Sequence, residues 1–307
     1  MTDTIDPRRI CIIGCGEAGG ILAQGLAASG RHEVTTYDIL FDDAKRGPAM
    51  LERARRLGAR PCASAAEAAR GARLVISAVT AASDGDVARK AGRYMAPGQI
   101  FVDINSVSPE TKRSSAAAVE RSGAAFVEAA VMAPVPPQGM KVPILLGGAR
   151  AREVEAILNA AGMSTSVAAA EIGRASAIKM CRSIMIKGVE ALAVECFLTA
   201  RRYGVEDTIV ASLDKTFPLD WEKLAGYLIG RVIHHGKRRA QEMREVAGTV
   251  ADIGLEPLMP SATAERHDWL AAISAAHPEL KETDDADWRR TLDLVAALIA
   301  EPAKAAQ

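Results

Sequence analysis

Several things are scarce in this chain of 307 residues, and each scarcity excludes something. Net charge is absent: 38 basic residues balance 38 acidic ones. That argues against a nucleic-acid or membrane-surface protein by electrostatics alone, while leaving room for a local basic site that holds a small anion. Cysteines are few and odd in number, at Cys11, Cys15, Cys62, Cys181 and Cys196, with no C-x-x-C. A disulfide framework is therefore not expected, and reduced thiols in a cytoplasmic protein are the simplest reading. No uncharged apolar run approaches the roughly 20 residues needed to span a bilayer. The opening MTDTIDPRRI lacks the apolar core of a signal peptide, so a cytoplasmic location with no membrane association is expected. Aromatic residues make up only 4%.

What is present points to an enzyme-sized α/β protein. About half the residues are hydrophobic (49%), enough for a sizeable core, and the length allows two domains. The richest local signal is Arg9 to Gly20, RICIIGCGEAGG. A short apolar run enters glycines at the spacing G-x-G-x-x-G, and a helical pattern follows at Ala18, Ile21, Leu22, Gly25 and Leu26. Gly14 permits a tight strand-to-helix turn, Gly16 clears space for a pyrophosphate, and Gly19 lets helix and strand pack closely. Free N–H groups of Glu17 and Ala18 at the helix start would face the phosphates. Cys15 inside this turn is either a space-filling side chain or an oxidation-sensitive thiol.

Downstream, strands and helices alternate. Strands are expected at 32–39, 73–79, 100–104, 124–131 and 143–146. Helices are expected at 51–57, 64–71, 85–95, 109–122 and 151–161. This alternation implies βαβ units and a parallel sheet. After about residue 166 only helical patterns follow: a long segment over 173–202, apolar on several faces, then 221–247, 261–276 and 287–300. A helix apolar all round is buried by neighbours or by a second subunit. The expected architecture is an α/β Rossmann domain with a mostly parallel sheet (1–166), joined through a long helix to an all-α domain (167–307).

Asp38 ends the second expected strand, 19 residues after Gly19. A carboxylate there accepts hydrogen bonds from ribose hydroxyls and repels a 2′-phosphate, favouring NAD over NADP. Lys45 and Arg46 are close enough in sequence to attract that phosphate, and Asp38 could instead only start a turn with Asp42 and Asp43. Val79 and Thr80, after the strand at 73–79, complete the expected cofactor set.

Three segments together resemble the β-hydroxyacid dehydrogenase family, which includes 3-hydroxyisobutyrate and 6-phosphogluconate dehydrogenases. They are the glycine turn, Asp103-Ile104-Asn105-Ser106-Val107-Ser108-Pro109 (similar to D-x-S-T-x-S-P), and Gly173 to Lys179 (similar to G-x-G-x-x-x-K). The resemblance implies a Rossmann domain, a long interdomain helix and an all-α domain. It also implies dehydrogenase chemistry with NAD or NADP, and a homodimer. Asn105 and Ser106 become substrate contacts, although Ser108-Pro109-Glu110 is also a good helix start. Departures are Ala175 for the second glycine of the lysine motif and Ser183 for its usual asparagine. In place of the family loop D-A-P-V-S-G-G stands Glu128 to Pro134, continuing into the apolar MAPVPP.

Lys179 is the expected general acid/base. Burial on a mostly apolar helix lowers an ammonium's pKa toward neutrality, so that it can take a proton from a substrate hydroxyl. A snorkelling or salt-bridged lysine is the bland alternative. Ser183 shares its helix face one turn on. Lys187 continues that face, where pairing with Glu190 or a nearby acid is expected. His234 to Arg239 is the densest basic cluster: either a solvated face, or a recess in which His235 and Arg239 hold an anionic substrate group. The expected function is hydride transfer between nicotinamide and the carbinol carbon of a small hydroxy acid or related polar alcohol. No nucleic-acid partner and no metal are expected. The alternatives are an imine or ketone reductase of the same fold, motivated by MAPVPP, and a non-catalytic dinucleotide-binding sensor.

Overall fold

A computed structural model describes residues 4–300 of the chain. Eight strands form one sheet: β1 (Asp6–Ile13), β2 (Glu33–Tyr37), β3 (Arg60–Pro61), β4 (Ala72–Ser77), β5 (Ile100–Asp103), β6 (Ala125–Val131), β7 (Pro143–Gly147) and β8 (Ser164–Ala169). Their order is β3-β2-β1-β4-β5-β6-β7-β8. Every pairing is parallel except β6 with β7. The chain reverses between β1 and β4, the switch point where such sheets place ligands at their strand ends.

Alternation along the strands sorts the core onto two faces. Ile10, Ile12, Leu74, Ile76, Ile100 and Val102 pack with Leu22 and Leu26 of α1 (Glu17–Ala28). Cys11, Ile13, Val75, Phe101 and Phe126 pack in the other layer. Between these strands run α2 (Gly47–Arg56), α3 (Ala65–Ala69), α4 (Asp84–Tyr94), α5 (Pro109–Glu120), the single turn α6 (Val135–Gln138) and α7 (Ala151–Ala160). Start signals explain several of them. Ser64 caps α3 by accepting from the Glu67 N–H, and Ser108 caps α5 by accepting from the Thr111 N–H.

The remainder is helical: α8 (Arg174–Tyr203), α9 (Glu206–Thr216), α10 (Trp221–Ala251), α11 (Leu258–Ala276) and α12 (Trp288–Ala300). Its core gathers Phe197, Ile229, Val232, Leu270, Leu292 and a buried Trp288. Pro260 falls in the first turn of α11, where a missing N–H costs nothing. The chain divides into two compact units between Lys179 and Met180, within α8.

Two strands and two helices, the single turn α6 and α9, go beyond the sequence expectation. β3 is two residues long, too short for a periodic signal. β8 reads S-T-S-V-A-A, with polar and small side chains and little apolar alternation, and it carries the sheet past the expected boundary at 166 to Ala169. α9 follows Gly204 so closely that it has no distinct start signal. Among the described residues no helix is long and apolar enough to cross a membrane.

Candidate functional site

The glycine turn has the geometry its spacing requires. Gly14 sits at φ +95°, and a Cβ there would lie 2.3 Å from the Ala78 carbonyl oxygen on the β4 side. A Cβ on Gly19 would lie 1.9 Å from the Gly14 carbonyl oxygen, so α1 can seat against the turn only with glycine there. Gly16 differs: nothing stands within 4 Å of its Cβ position, and it is exposed. No side chain caps α1, whose N-cap is Gly16. Uncapped N–H groups of Glu17 and Ala18, a helix dipole and open space beside Gly16 fit the pyrophosphate of a dinucleotide. Arg53 of α2, not anticipated from sequence, donates to the carbonyls of Cys15 (2.9 Å) and Gly16 (3.1 Å) and braces the turn from behind.

Asp38 is buried at the end of β2. One oxygen accepts from the Cys15 N–H (2.6 Å) and the other from the Leu40 N–H (2.9 Å). It ties β2 to the glycine turn, and each oxygen keeps a lone pair for a ribose hydroxyl. Arg46 is paired with Asp43 at 2.6 Å, and Lys45 is exposed. Cys15 is fully buried against Phe41 and Ala54. Burial pushes its thiol pKa up, so it is a space filler and not a reactive thiolate.

The loops after β4 and β5 are joined through Asn105. Its Oδ1 accepts from the Val79 N–H (2.8 Å), and its Nδ2 donates to Ser77 Oγ (3.0 Å) and Asp84 Oδ1 (2.7 Å). The Asn105 side chain, expected to contact substrate, thus braces the cofactor loop from a buried position. Ser106, next in the chain, is half-buried, and Thr80 is exposed with its hydroxyl 3.0 Å from that of Ser83. Beneath lies a charge pair that sequence reasoning missed: Lys112 Nζ is 2.7 Å from Asp103 Oδ2, both side chains buried. Burial pushes the Asp103 pKa up to about 7, Lys112 pulls it down, and Asp84 pushes it up further. A signal for Lys112 did exist, since a lysine at the end of a helix's first turn runs against the dipole.

Lys179 is half-buried on the second turn of α8. The start of that helix is held by Glu128 of β6, fully buried, whose carboxylate accepts from the N–H groups of Gly173 (2.7 Å), Ala175 (3.0 Å) and Ser176 (3.2 Å) and from the Ser176 hydroxyl. Between β6 and β7, MAPVPP folds toward α1, and Met140 seats where Gly25 has no side chain.

In the helical unit, Ser183 accepts from Lys187 Nζ (3.0 Å), which pairs with Glu242 at 3.1 Å. The acid that meets Lys187 is therefore Glu242. Arg239 is buried and forms a two-point pair with Glu190. The expected anion recess is not assembled within this unit: His234, His235, Lys237 and Arg238 are exposed along α10, while Arg239 points inward to Glu190. Partial burial and the neighbouring Arg231 and Arg238 lower the His235 pKa to about 4, which keeps the ring neutral.

Comparison with known proteins agrees with this arrangement. Residues 9–173 match the NAD binding domain of 6-phosphogluconate dehydrogenase, and residues 200–270 match a domain of unknown function, DUF1932. A conserved hypothetical protein from Sinorhizobium meliloti 1021 is 39% identical, with a TM-score of 0.79 over 95% of this chain and 97% of its own. A conserved protein of unknown function, described as structurally similar to 3-hydroxyacid dehydrogenases, is 35% identical with a TM-score of 0.72, covering 87% of this chain and 98% of its own. The 3-hydroxyisobutyrate dehydrogenase of Mycobacterium tuberculosis, solved with L-serine, shares the fold at 18% identity and a TM-score of 0.70, over 94% and 99% of the two chains. The chain belongs to the β-hydroxyacid dehydrogenase-like superfamily, pairing the NAD-binding domain of 6-phosphogluconate dehydrogenase with a DUF1932 domain.

Proposed function

We propose that this protein is an NAD-dependent oxidoreductase acting on the CH–OH group of a small, polar or anionic hydroxy acid, with Lys179 as general acid/base. The observation that carries this reading is that one compact unit holds both an open, uncapped glycine turn and a half-buried lysine at the motif position on α8. A bound nicotinamide supplies the hydride acceptor or donor. Lys179 takes the proton of the substrate hydroxyl in oxidation and returns it in reduction. Asp38 favours NAD, because its carboxylate meets a 2′-phosphate with like charge, and Arg46 is already paired with Asp43. Ser106 is assigned to a substrate hydroxyl or carboxylate contact; Ser183 and His235 belong to the helical unit, where Ser183 accepts from Lys187. Asn105 and Arg239 act from behind, holding backbone and helix. The reading includes a homodimer.

Lys179→Met is expected to lower kcat by about 10²–10⁴-fold while NADH still binds, the range that general acid–base catalysis contributes. The assay pairs NAD and NADP with 3-hydroxyisobutyrate, L-serine and related hydroxy acids. Near wild-type turnover in the variant sinks the mechanism. A second reading, reduction of imines or ketones, is favoured by the apolar MAPVPP segment. Reduction of a cyclic imine that survives Lys179→Met supports it. NADH binding with no hydride transfer across the panel supports a sensor.

A further inference from the structure

We infer that Glu128 is the positioning residue for Lys179: a buried carboxylate that fixes the first turn of α8 to the sheet edge and neutralises its positive end. The inference rests on the catalytic reading of Lys179 given above.

The geometry is that of a cap supplied from another element. Glu128 lies on β6 beside the reversal of the sheet, and its side chain is completely buried. Gly173, Ala175 and Ser176 give it three backbone N–H groups and one hydroxyl, from a position 45 to 48 residues further along the chain. A helix N-terminus has N–H groups without internal partners, and a capping residue normally satisfies them locally. Here they are satisfied by a strand, so the helix start cannot shift without moving against the sheet.

Room for the carboxylate comes from β7. A Cβ on Gly147, the residue opposite Glu128, would lie 2.4 Å from Glu128 Oε1. Gly173, the first donor, has φ +99°, a left-handed conformation that presents its N–H to the carboxylate. With its oxygens enclosed by these donors, Glu128 has no route to substrate and acts through the helix. Lys179 stands one turn beyond Ser176, on the face that i and i+3 positions share. The bond from Ser176 to Glu128 therefore sets both the rotation of that face and its distance from the sheet. The carboxylate also offsets the partial positive charge of the helix end. That positive end disfavours a nearby ammonium such as Lys179, and the carboxylate reduces the effect.

The test compares Glu128→Gln and Ser176→Ala with wild type in the full-length protein. The deciding readout is the rate at which Lys179 is acetylated by acetic anhydride, read by peptide mass spectrometry against exposed Lys215. Glu128→Gln should raise the relative rate by about threefold or more, because the lost negative charge favours the free amine; Ser176→Ala keeps that charge and should raise the rate less, by loosening the first turn and exposing the amine. Turnover of the best hydroxy-acid substrate should fall about 10- to 100-fold in kcat for Glu128→Gln and less for Ser176→Ala, with KM and NADH affinity within about twofold. A residue that only stabilised the fold would lower the melting temperature and leave these quantities unchanged per folded molecule. Lys179 acetylation unchanged in both variants overturns the inference, as does undiminished kcat. If Glu128→Gln does not fold, Ser176→Ala decides alone. Retained turnover in Lys179→Met would sink the catalytic reading instead, and the acetylation rates would still decide whether Glu128 sets the environment of Lys179.

Discussion

His267 lies fully buried on α11, and neither ring nitrogen has a hydrogen-bond partner among the described residues. Glu190 Oε2 is 3.8 Å away but is already held by Arg239. Burial, with Arg239 and Lys187 close by, lowers the His267 pKa from 6.5 to about 4. The sign follows directly. Between pH 6.5 and 4 the unfolded chain binds a proton that the folded chain refuses, so stability contributed above pH 6.5 is lost as pH falls toward 4. At 1.36 kcal/mol per unit the loss reaches about 3 kcal/mol. Urea unfolding at pH 7.5, 6 and 4.5 should show this decline in wild type and a flatter profile in His267→Phe. Identical slopes in the two proteins would show that another group governs the window. The same preference for interior partners explains Asn105 and Arg239. Their residue types suggested ligand contacts, and their neighbours in three dimensions, Val79, Asp84 and Glu190, make them braces.

At the scale of elements, the glycine turn makes a sharp contrast between two similar changes. Gly19→Ala places a methyl 1.9 Å from the Gly14 carbonyl, so α1 must move; a loss of about 1–3 kcal/mol in stability and of NADH binding is expected. Gly16→Ala meets nothing within 4 Å and should melt like wild type while binding NADH more weakly, because its methyl occupies the space left for the pyrophosphate. Thermal melts with NADH fluorescence titration separate the two, and equal NADH affinity in Gly16→Ala would move the phosphate site elsewhere. This turn was legible because its chemistry is local: strand, three glycines and helix follow within a dozen residues. The sheet strands of the first half were legible through their buried, continuous apolar runs. β8 was not, since a short strand of Ser, Thr and Ala on the sheet edge has almost no alternation to read. Glu128 was invisible for a different reason. It satisfies a helix start 45 residues away, and nothing in the neighbourhood of either partner marks the pairing. The expected anion recess rested on a run of basic residues in sequence, but a helix turns such a run through all its faces, so Arg239 enters the core while His235 and Arg238 stay outside.

At the scale of the whole molecule, one helix carries exposed apolar side chains in a row. Ile178, Met185 and Leu192 are exposed on α8 at a strict seven-residue spacing, which places them along one stripe of the helix. Ile186 is exposed beside that stripe, and Leu255, Leu258 and Met259 are exposed between α10 and the start of α11. Single exposed apolar residues need no explanation, but an ordered stripe of large ones marks an interaction surface. The sequence expectation that α8 is apolar on most sides because neighbours or a second subunit cover it is therefore met only in part by the chain itself. A homodimer covering this stripe is the expected state. A dimer mass by light scattering at about 10 μM is predicted for wild type, given that stable interfaces bury on the order of 1,600 Å² and hold at such concentrations. Met185→Glu with Leu192→Glu should yield a monomer, since each places a charge where water would be excluded. The substitutions lie away from the buried residues of α8, so helix content should be unchanged by circular dichroism. A strictly monomeric wild type would leave the stripe free for a different partner, and a dimeric double variant would place the contact on another face of the protein.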